Sequence, residues 1–396
     1  MKIGQTLYLD YQATTPLDAQ VLADMTPYLV DSFANPHSSD HAAGWRAARA
    51  VEESATRLAS FIGADSDEII FTSGATEANN LALLGLARRA SGGKRRRILM
   101  GAIEHKCVLA VGRVLASQLG YTVETLPVDR YGRIDLDDLE ERMADDVLTL
   151  SVMAVNNEVG TIQDIDSINQ ITSSYGAMFH CDGAQAPTAM DMSLFADKVD
   201  LLSLSAHKMY GPKGIGALYI RRDLQDRIEP MIYGGGQQNG LRSGTLPTPL
   251  SVGMGAAASL LQGEQGRAER GRLAELRDQF LDGLQGARWP VRLNGPTPGS
   301  NRHPGNANIL FEDFNAHDLL GALQPHLAAS TGSACTSGDP ESSHVLRAIG
   351  LSAREADSSI RFSFGRETSA QDVTQATELI DAALTVIAGE DLMQTA

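Results

Sequence analysis

Basic residues are scarce in this chain: 33 Lys and Arg stand against 49 Asp and Glu, for a formal net charge of −16. That balance argues against direct binding to a nucleic-acid backbone, where phosphate contacts need clustered Lys and Arg. The one short basic cluster, Lys94 to Arg97, follows Ser91-Gly92-Gly93 and reads as a solvated loop before a strand. No run of about 18 apolar residues occurs, so no membrane span is expected. The opening Met1 to Thr6 lacks the apolar core of a signal peptide. Cysteine is rare as well. Three scattered cysteines are too few for a disulfide framework, which suits a reducing cytoplasm, and they lack metal-ligand spacing, so no metal is expected.

What remains is ordinary for a soluble enzyme: 396 residues, 43% hydrophobic and 21% charged. That length suits two domains, or one large α/β domain with a smaller one. No internal repeats or low-complexity tracts are present. The most informative stretch runs from Ser203 to Gly214. An apolar run from Val199 to Leu204 leads into Ser205-Ala206-His207-Lys208, a turn at Gly211-Pro212, and a second apolar run from Ile215 to Ile220. This predicts strand, lysine-bearing turn, strand. Desolvation at the end of a buried strand favours a neutral amine, which Schiff-base chemistry needs. A solvated hairpin lysine fits the stretch equally well.

The rest of the chain alternates strand and helix. Helices are expected over 42–62, 108–119, 136–143 and 165–175, and strands over 69–71, 97–100, 122–126, 147–155 and 178–181. This rhythm implies a mainly parallel sheet with helices on both faces. Ligands in such sheets bind at the carboxyl ends of the strands, and His105, Asn157, Asp182 and Lys208 all fall there. Thr72-Ser73-Gly74-Ala75-Thr76-Glu77 opens a helix and reads either as an anion site or as a plain N-cap with Glu in its first turn. A polar loop, Asn35 to Ser39, precedes the first long helix, and another long helix begins near Thr248 and runs past Leu281, with a break expected at its glycines. A boundary near residue 263 gives a large domain of 15–262 and a small one formed by 1–14 and 263–396.

A lysine and an aspartate at strand ends suggest pyridoxal 5′-phosphate, whose ring nitrogen needs a carboxylate partner to stay protonated. Asp182 precedes Lys208 by one helix and one strand, so neighbouring strands can bring them together. Gln185 is placed to donate to the ring hydroxyl, and His105 to stack on the ring or move protons. The Ser73–Thr76 helix start, with Ser205 and His207, is placed to take the phosphate. A nucleotide-binding phosphate loop at Gly211 to Gly216 is disfavoured, because the required Gly-Lys-Ser/Thr ending is missing.

Several segments together carry a resemblance. They are Tyr8-Leu9-Asp10-Tyr11-Gln12-Ala13-Thr14-Thr15-Pro16, Phe71 to Glu77, Glu104-His105-Lys106, Val155-Asn156-Asn157-Glu158-Val159-Gly160, His207 to Gly214, and Arg242-Ser243-Gly244-Thr245-Leu246-Pro247. In this order, over nearly the whole chain, they resemble the cysteine desulfurases of the NifS/IscS type. These belong to the class V aminotransferase family of fold-type I pyridoxal-phosphate enzymes. The resemblance implies an α/β fold with a seven-stranded, mainly parallel sheet flanked by helices, and a smaller C-terminal α/β domain.

It also implies roles. Lys208 forms the Schiff base and moves the α-proton, and His105 stacks over the ring. Asp182 pairs with the pyridine nitrogen, Gln185 contacts the ring oxygen, and Asn157 lies beside the ring. Ala75, Thr76, Ser205 and His207 surround the phosphate. Thr245 reaches the phosphate site of a partner subunit, so a homodimer is expected. Arg361 clamps the substrate carboxylate, with Asn35 assisting. Cys335, in Ser333-Ala334-Cys335-Thr336-Ser337, attacks the sulfur of L-cysteine and carries it as a persulfide to an acceptor protein, and alanine is released. A Ser-, Gly- and Pro-rich loop around Cys335 is expected to be mobile. Cys181 and Cys107 are expected to be inert thiols.

Two departures from the family pattern stand out. Ala206 replaces the Gly of many relatives, and the end of the chain lacks the longer tail with which the housekeeping enzyme docks its scaffold protein. The pathway therefore stays open among iron–sulfur cluster assembly, tRNA thiolation and DNA phosphorothioation. The competing activity is another pyridoxal-phosphate lyase or transaminase on the same scaffold, such as a selenocysteine lyase. The competing class is a non-catalytic binding protein that kept the fold.

Overall fold

The computed structural model describes residues 1–285, 289–331 and 342–394. Among these residues, seven strands form the central sheet. Their spatial order is Ile69–Thr72, Gly216–Ile220, Leu201–Ser205, Met178–Asp182, Val147–Ser151, Arg97–Gly101, Thr122–Leu126. Gly216–Ile220 pairs antiparallel with both of its neighbours, and the other pairings are parallel. Six of the seven strands are apolar and largely buried, as parallel strands covered on both faces must be. Alternate side chains leave by opposite faces. Leu150, Phe179, Leu202 and Ala217 pack with the helix Ala42–Ile62 and the helix Thr248–Leu261. Leu148, Met178, Leu201 and Leu218 pack with the helices Ala75–Arg89 and Lys106–Leu119.

The helix Ala42–Ile62 falls where its apolar spacing placed it. His41 caps its start through Nδ1, and Gly63 ends it in the left-handed conformation, φ 80°. It lies so close to its partner helix that a Cβ on Gly255 would sit 2.9 Å from Ser54 Cα. The long helix expected from Thr248 divides as anticipated. It stops at Leu261, Gln262 turns extended, and a second helix, Gly263–Gln285, starts from a glycine at φ 66°. The expected strand 147–155 is shorter, ending at Ser151. Residues 152–155 stay buried but leave the ladder, which carries the chain out towards Asn156 and Asn157.

A second apolar cluster lies in the last third of the chain. Asn306–Phe311 pairs antiparallel with Val291–Leu293 on one side and Ser359–Ser363 on the other. Phe280, Phe311, Phe362 and Phe364 pack there with Ile380, and Leu7 and Leu9 from the start of the chain join them. Near the start of the chain, the strand Thr6–Tyr8 pairs antiparallel with Lys2–Ile3 and parallel with Leu327–Ala328. These pairings station Asp10 to Thr15 between this cluster and the main sheet. Among the described residues no helix is long and apolar enough to cross a membrane.

The arginines of the Lys94 to Arg97 cluster do more than sit in solvent, contrary to expectation. Arg95 donates to the carbonyls of Val147 and Tyr175, Arg96 to those of Leu119 and Gly120, and Arg97 pairs with Glu124 and Asp146. Their guanidinium forks satisfy carbonyls at strand starts and helix ends.

Candidate active site

Asp182 is the last residue of its strand, and its neighbour strand pairs Ser203 opposite it. Ser205 ends that neighbour, and Lys208 lies in the helical turn Ala206–Lys208 immediately beyond. The two sequence-predicted groups therefore leave adjacent parallel strands at the same end of the sheet. Lys208 Nζ donates to the carbonyls of Gln12, at 2.6 Å, and Ala13, at 2.8 Å. Gln185 Nε2 donates to the same Gln12 carbonyl at 2.9 Å. The opening segment thus carries the oxygens that orient both side chains. Tyr210 holds the turn closed from a left-handed conformation, φ 67°. Such backbone costs about 1–2 kcal/mol for a non-glycine. Its amide donates to Thr15 Oγ1, and its buried hydroxyl accepts from the Arg366 amide.

The helix Ala75–Arg89 begins beside Ser205. Its N-cap, Gly74, provides no side-chain cap, so the free N–H groups of its first turn stay available. Glu77 accepts from the Ser73 amide and pairs with Arg242, and these contacts hold its carboxyl below the usual range against burial, which is the largest influence. A Cβ on Gly216 would fall 2.6 Å from Gly74 Cα, so only glycine allows this helix start to abut the sheet. Ala75 and Thr76 lie in the first turn, Thr76 exposed. His207 follows Ser205. Its Nδ1 lies 3.1 Å from Thr14 Oγ1. Burial, reinforced by Lys208 and Lys213, lowers its pKa to about 4.

Asp182 is held by two donors: Asn79 Nδ2 at 2.8 Å on one oxygen and the Ala184 amide at 2.9 Å on the other. Asn79 is fully buried one helical turn beyond Thr76. His105 caps the helix Lys106–Leu119 and is half-buried. Burial is the main influence that lowers its pKa. Asp182 opposes, and Lys208, His344 and Lys106 add to the lowering.

Arg361 comes from the other sheet. It is buried and makes three charge-assisted bonds: to Asp10 Oδ1 at 2.6 Å, Ser330 Oγ at 2.8 Å and the Asn157 carbonyl at 2.8 Å. Its Nε has no hydrogen-bond partner among the described residues. The Asn157 carbonyl is thereby tied to Arg361.

Two buried carboxyls sit behind these groups. Burial pushes Glu104 well above the usual carboxylate range, and Asp182 adds to the rise. Its Oε1 accepts from the Met153 amide. Glu158, likewise raised by burial, accepts from Ser343 Oγ. His344 Nε2 reaches the Glu104 carbonyl at 3.0 Å. Cys335 lies outside the described residues, between Ser330 and Ser343.

The structure thus gathers Lys208, Asp182, Gln185, His105, Ser205 and His207 at one end of the central sheet. It does not bring Asn35 to Arg361: Asn35 is exposed, and its Oδ1 accepts from the His37 amide two residues away. Thr245 is also exposed. Sequence reasoning missed Asn79, Gln12, Asp10 as the partner of Arg361, and Glu104. For Asn79 the signal was an amide among apolar neighbours, one turn beyond a predicted anion site. Cys107, expected to be inert, lies 3.0 Å from His105 Nδ1. Among the described residues no group of three or more His, Cys, Asp or Glu is placed to hold a metal ion.

The chain matches the family model described as Aminotransferase class-V over residues 7–376. It is 46% identical over 374 residues to "Cysteine desulfurase IscS" of Rickettsia bellii (strain OSU 85-389), covering 94% of this chain and 90% of that protein. The solved structure "NIFS-LIKE PROTEIN" superposes with a TM-score of 0.88 at 32% identity, covering 96% of this chain and 99% of that one. A second, "SspA in complex with cysteine", gives 0.79 at 36% identity, covering 90% and 98%. With a family model running from residue 7 to 376 and a relative nearly half identical along almost the whole length, the chain belongs to the class-V aminotransferase family.

Proposed function

We propose that this protein is an L-cysteine desulfurase. It uses pyridoxal 5′-phosphate, releases L-alanine, and takes sulfur as a persulfide on Cys335 for delivery to an acceptor protein. One observation carries the reading: Lys208 and Asp182 leave adjacent strands beside a helix start without a side-chain cap.

The donor set fits the cofactor. Asp182 supplies the carboxylate for a protonated ring nitrogen, and Gln185 supplies an amide for the ring oxygen. The first-turn amides at Ala75 and Thr76, with Ser205 and His207, suit a phosphate. When bound, the cofactor supplies an electron sink for the pair released at the substrate α-carbon. Lys208 then handles the α-proton, and His105, held neutral by burial, exchanges protons with the substrate. Arg361 receives the substrate carboxylate through its fork, with the Asn157 carbonyl holding one arm in place.

Cys335 attacks the substrate sulfur. The Cβ–Sγ bond of cysteine breaks, an S–S bond to Cys335 forms, and the electron pair and a proton pass to Cβ, which gives alanine. The net reaction converts cysteine and a protein thiol into alanine and a protein persulfide, with no outside oxidant.

The active form is a homodimer, in which Thr245 completes the phosphate site of the partner. Exposed Leu29, Val30, Phe33, Trp45 and Tyr233 supply apolar surface for such an interface. Residues 15–262 form the cofactor domain, and 1–14 with 263–396 form the small domain. The separate cluster around Phe280 and Phe362, which includes Leu7 and Leu9, supports that division.

The test is alanine formed from L-cysteine with a thiol reductant present. The wild type should produce it, and Cys335→Ser should lose at least about 100-fold, the lower range for losing a positioned reacting group. Equal rates would mean a lyase or transaminase that needs no persulfide.

A further inference from the structure

The reaction proposed above leaves Cys107 without a task, yet this thiol bridges two of the central groups. Its Sγ lies 3.0 Å from His105 Nδ1 and 3.4 Å from Asn79 Nδ2. The same Asn79 nitrogen is 2.8 Å from Asp182 Oδ2. We propose that Cys107 and Asn79 are positioning residues that link Asp182 to His105 and hold its ring in the tautomer with a bare Nδ1 and the proton on Nε2.

Hydrogen-bond direction carries the argument. A carboxylate only accepts, so the edge of Asn79 that faces Asp182 is its NH2 group. One N–H goes to Asp182, and the other reaches Cys107 Sγ. The sulfur therefore accepts from Asn79 and also from the Thr76 hydroxyl, and its own proton is left for His105 Nδ1. The Cys107 backbone N–H also points at Nδ1, at 3.2 Å. Two donors converge on one ring nitrogen, and a nitrogen that accepts both cannot carry the proton.

The electrostatics agree. Burial, with Asp182 adding to it, pushes the Cys107 thiol up to about 11, so it remains a donor at neutral pH. The titratable groups facing the imidazole are Asp182, which favours its protonation, and Lys208, His344 and Lys106, which oppose it. A plain helix cap would need only the backbone N–H. The thiol adds the second donor and the connection to Asp182.

The inference rests on His105 handling protons in the reaction, but its test needs no turnover. Holoenzyme labelled with 15N-histidine would be followed by long-range proton–nitrogen NMR across pH, with a His105→Gln sample identifying the signals. The wild type should show Nε2 protonated and Nδ1 bare. In Cys107→Ala, loss of a donor that favours the neutral ring should raise the His105 titration midpoint by up to about one unit, and the Nδ1–H tautomer should become populated. Cys107→Ser keeps a donor and should retain the wild-type midpoint. A wild-type ring protonated on Nδ1, or a midpoint unmoved in Cys107→Ala, would overturn the proposal. If the midpoints move as stated while no variant forms alanine, the positioning role stands and the desulfurase reading fails.

Discussion

Two clusters border the candidate site, and they treat charge in opposite ways. At the ends of the central strands, around Asp182 and Lys208, burial disfavours charge on the neighbouring side chains. His207 falls to about 4, His105 is lowered, and Glu104 is raised. At the edge of Ser359–Ser363, charge is kept: Arg361 is buried yet bound to Asp10, Ser330 and the Asn157 carbonyl. In the proposed reaction, the groups that exchange protons sit where neutrality is favoured. In the same proposal Arg361, which grips the anion, is held by the Asp10 carboxylate, whose place the substrate carboxylate would take.

Lys208→Ala should break the strand-end side outright. Alanine formation should fall by about 10²–10⁴-fold, read by amino-acid analysis, with the fold intact by circular dichroism. Activity within tenfold of wild type would remove Lys208 from the chemistry.

Next in size is acid sensitivity. His180, fully buried between Ser151 and Ser203, has its pKa lowered to about 4 by burial. Its folded value lies below its unfolded value of about 6.5, so the unfolded chain binds more protons between them. Stability is therefore full above about pH 6.5 and falls towards pH 4, by about 3 kcal/mol from this residue. Denaturant unfolding at both pH values should show the loss, and His180→Gln should reduce it. An equal slope in the variant would contradict the assignment.

Arg361→Lys tests the charged side. The loss of a fork should lower kcat/KM by about 10- to 100-fold, mainly through KM. A fall confined to kcat would mean that Arg361 does not clamp the substrate.

Glu104→Gln is the mildest. A carboxyl that burial pushes towards its neutral form should tolerate the amide within about 0.5 kcal/mol at pH 7. A cost of several kcal/mol would mean that Glu104 is charged in the fold.

The sequence made one side of this comparison more legible than the other. Lys208, Asp182 and His105 each follow an apolar run, so strand ends could be read directly from the pattern. The helix Ala42–Ile62 was equally plain from its apolar spacing. The Arg361–Asp10 pair was hidden because its partners lie at opposite ends of the chain and meet only in the tertiary fold. Asn79 went unread because its signal, an amide among apolar neighbours one turn beyond Thr76, points to no partner until the helix is set beside Asp182. The insertion of Gly216–Ile220 against its neighbours, between the first strand and the rest, was also beyond pattern. Pairing order depends on crossovers that local sequence does not encode. Arg95 and Arg96 looked like solvated charge because the carbonyls they bind come from other elements.

The most direct test of the central claim is to look for the sulfur itself. The holoenzyme would be given L-cysteine, trapped with an alkylating reagent and mapped by mass spectrometry. The account predicts one extra sulfur atom on the peptide carrying Cys335 and none on those carrying Cys107 or Cys181. Alanine production with no added sulfur on Cys335 would contradict it.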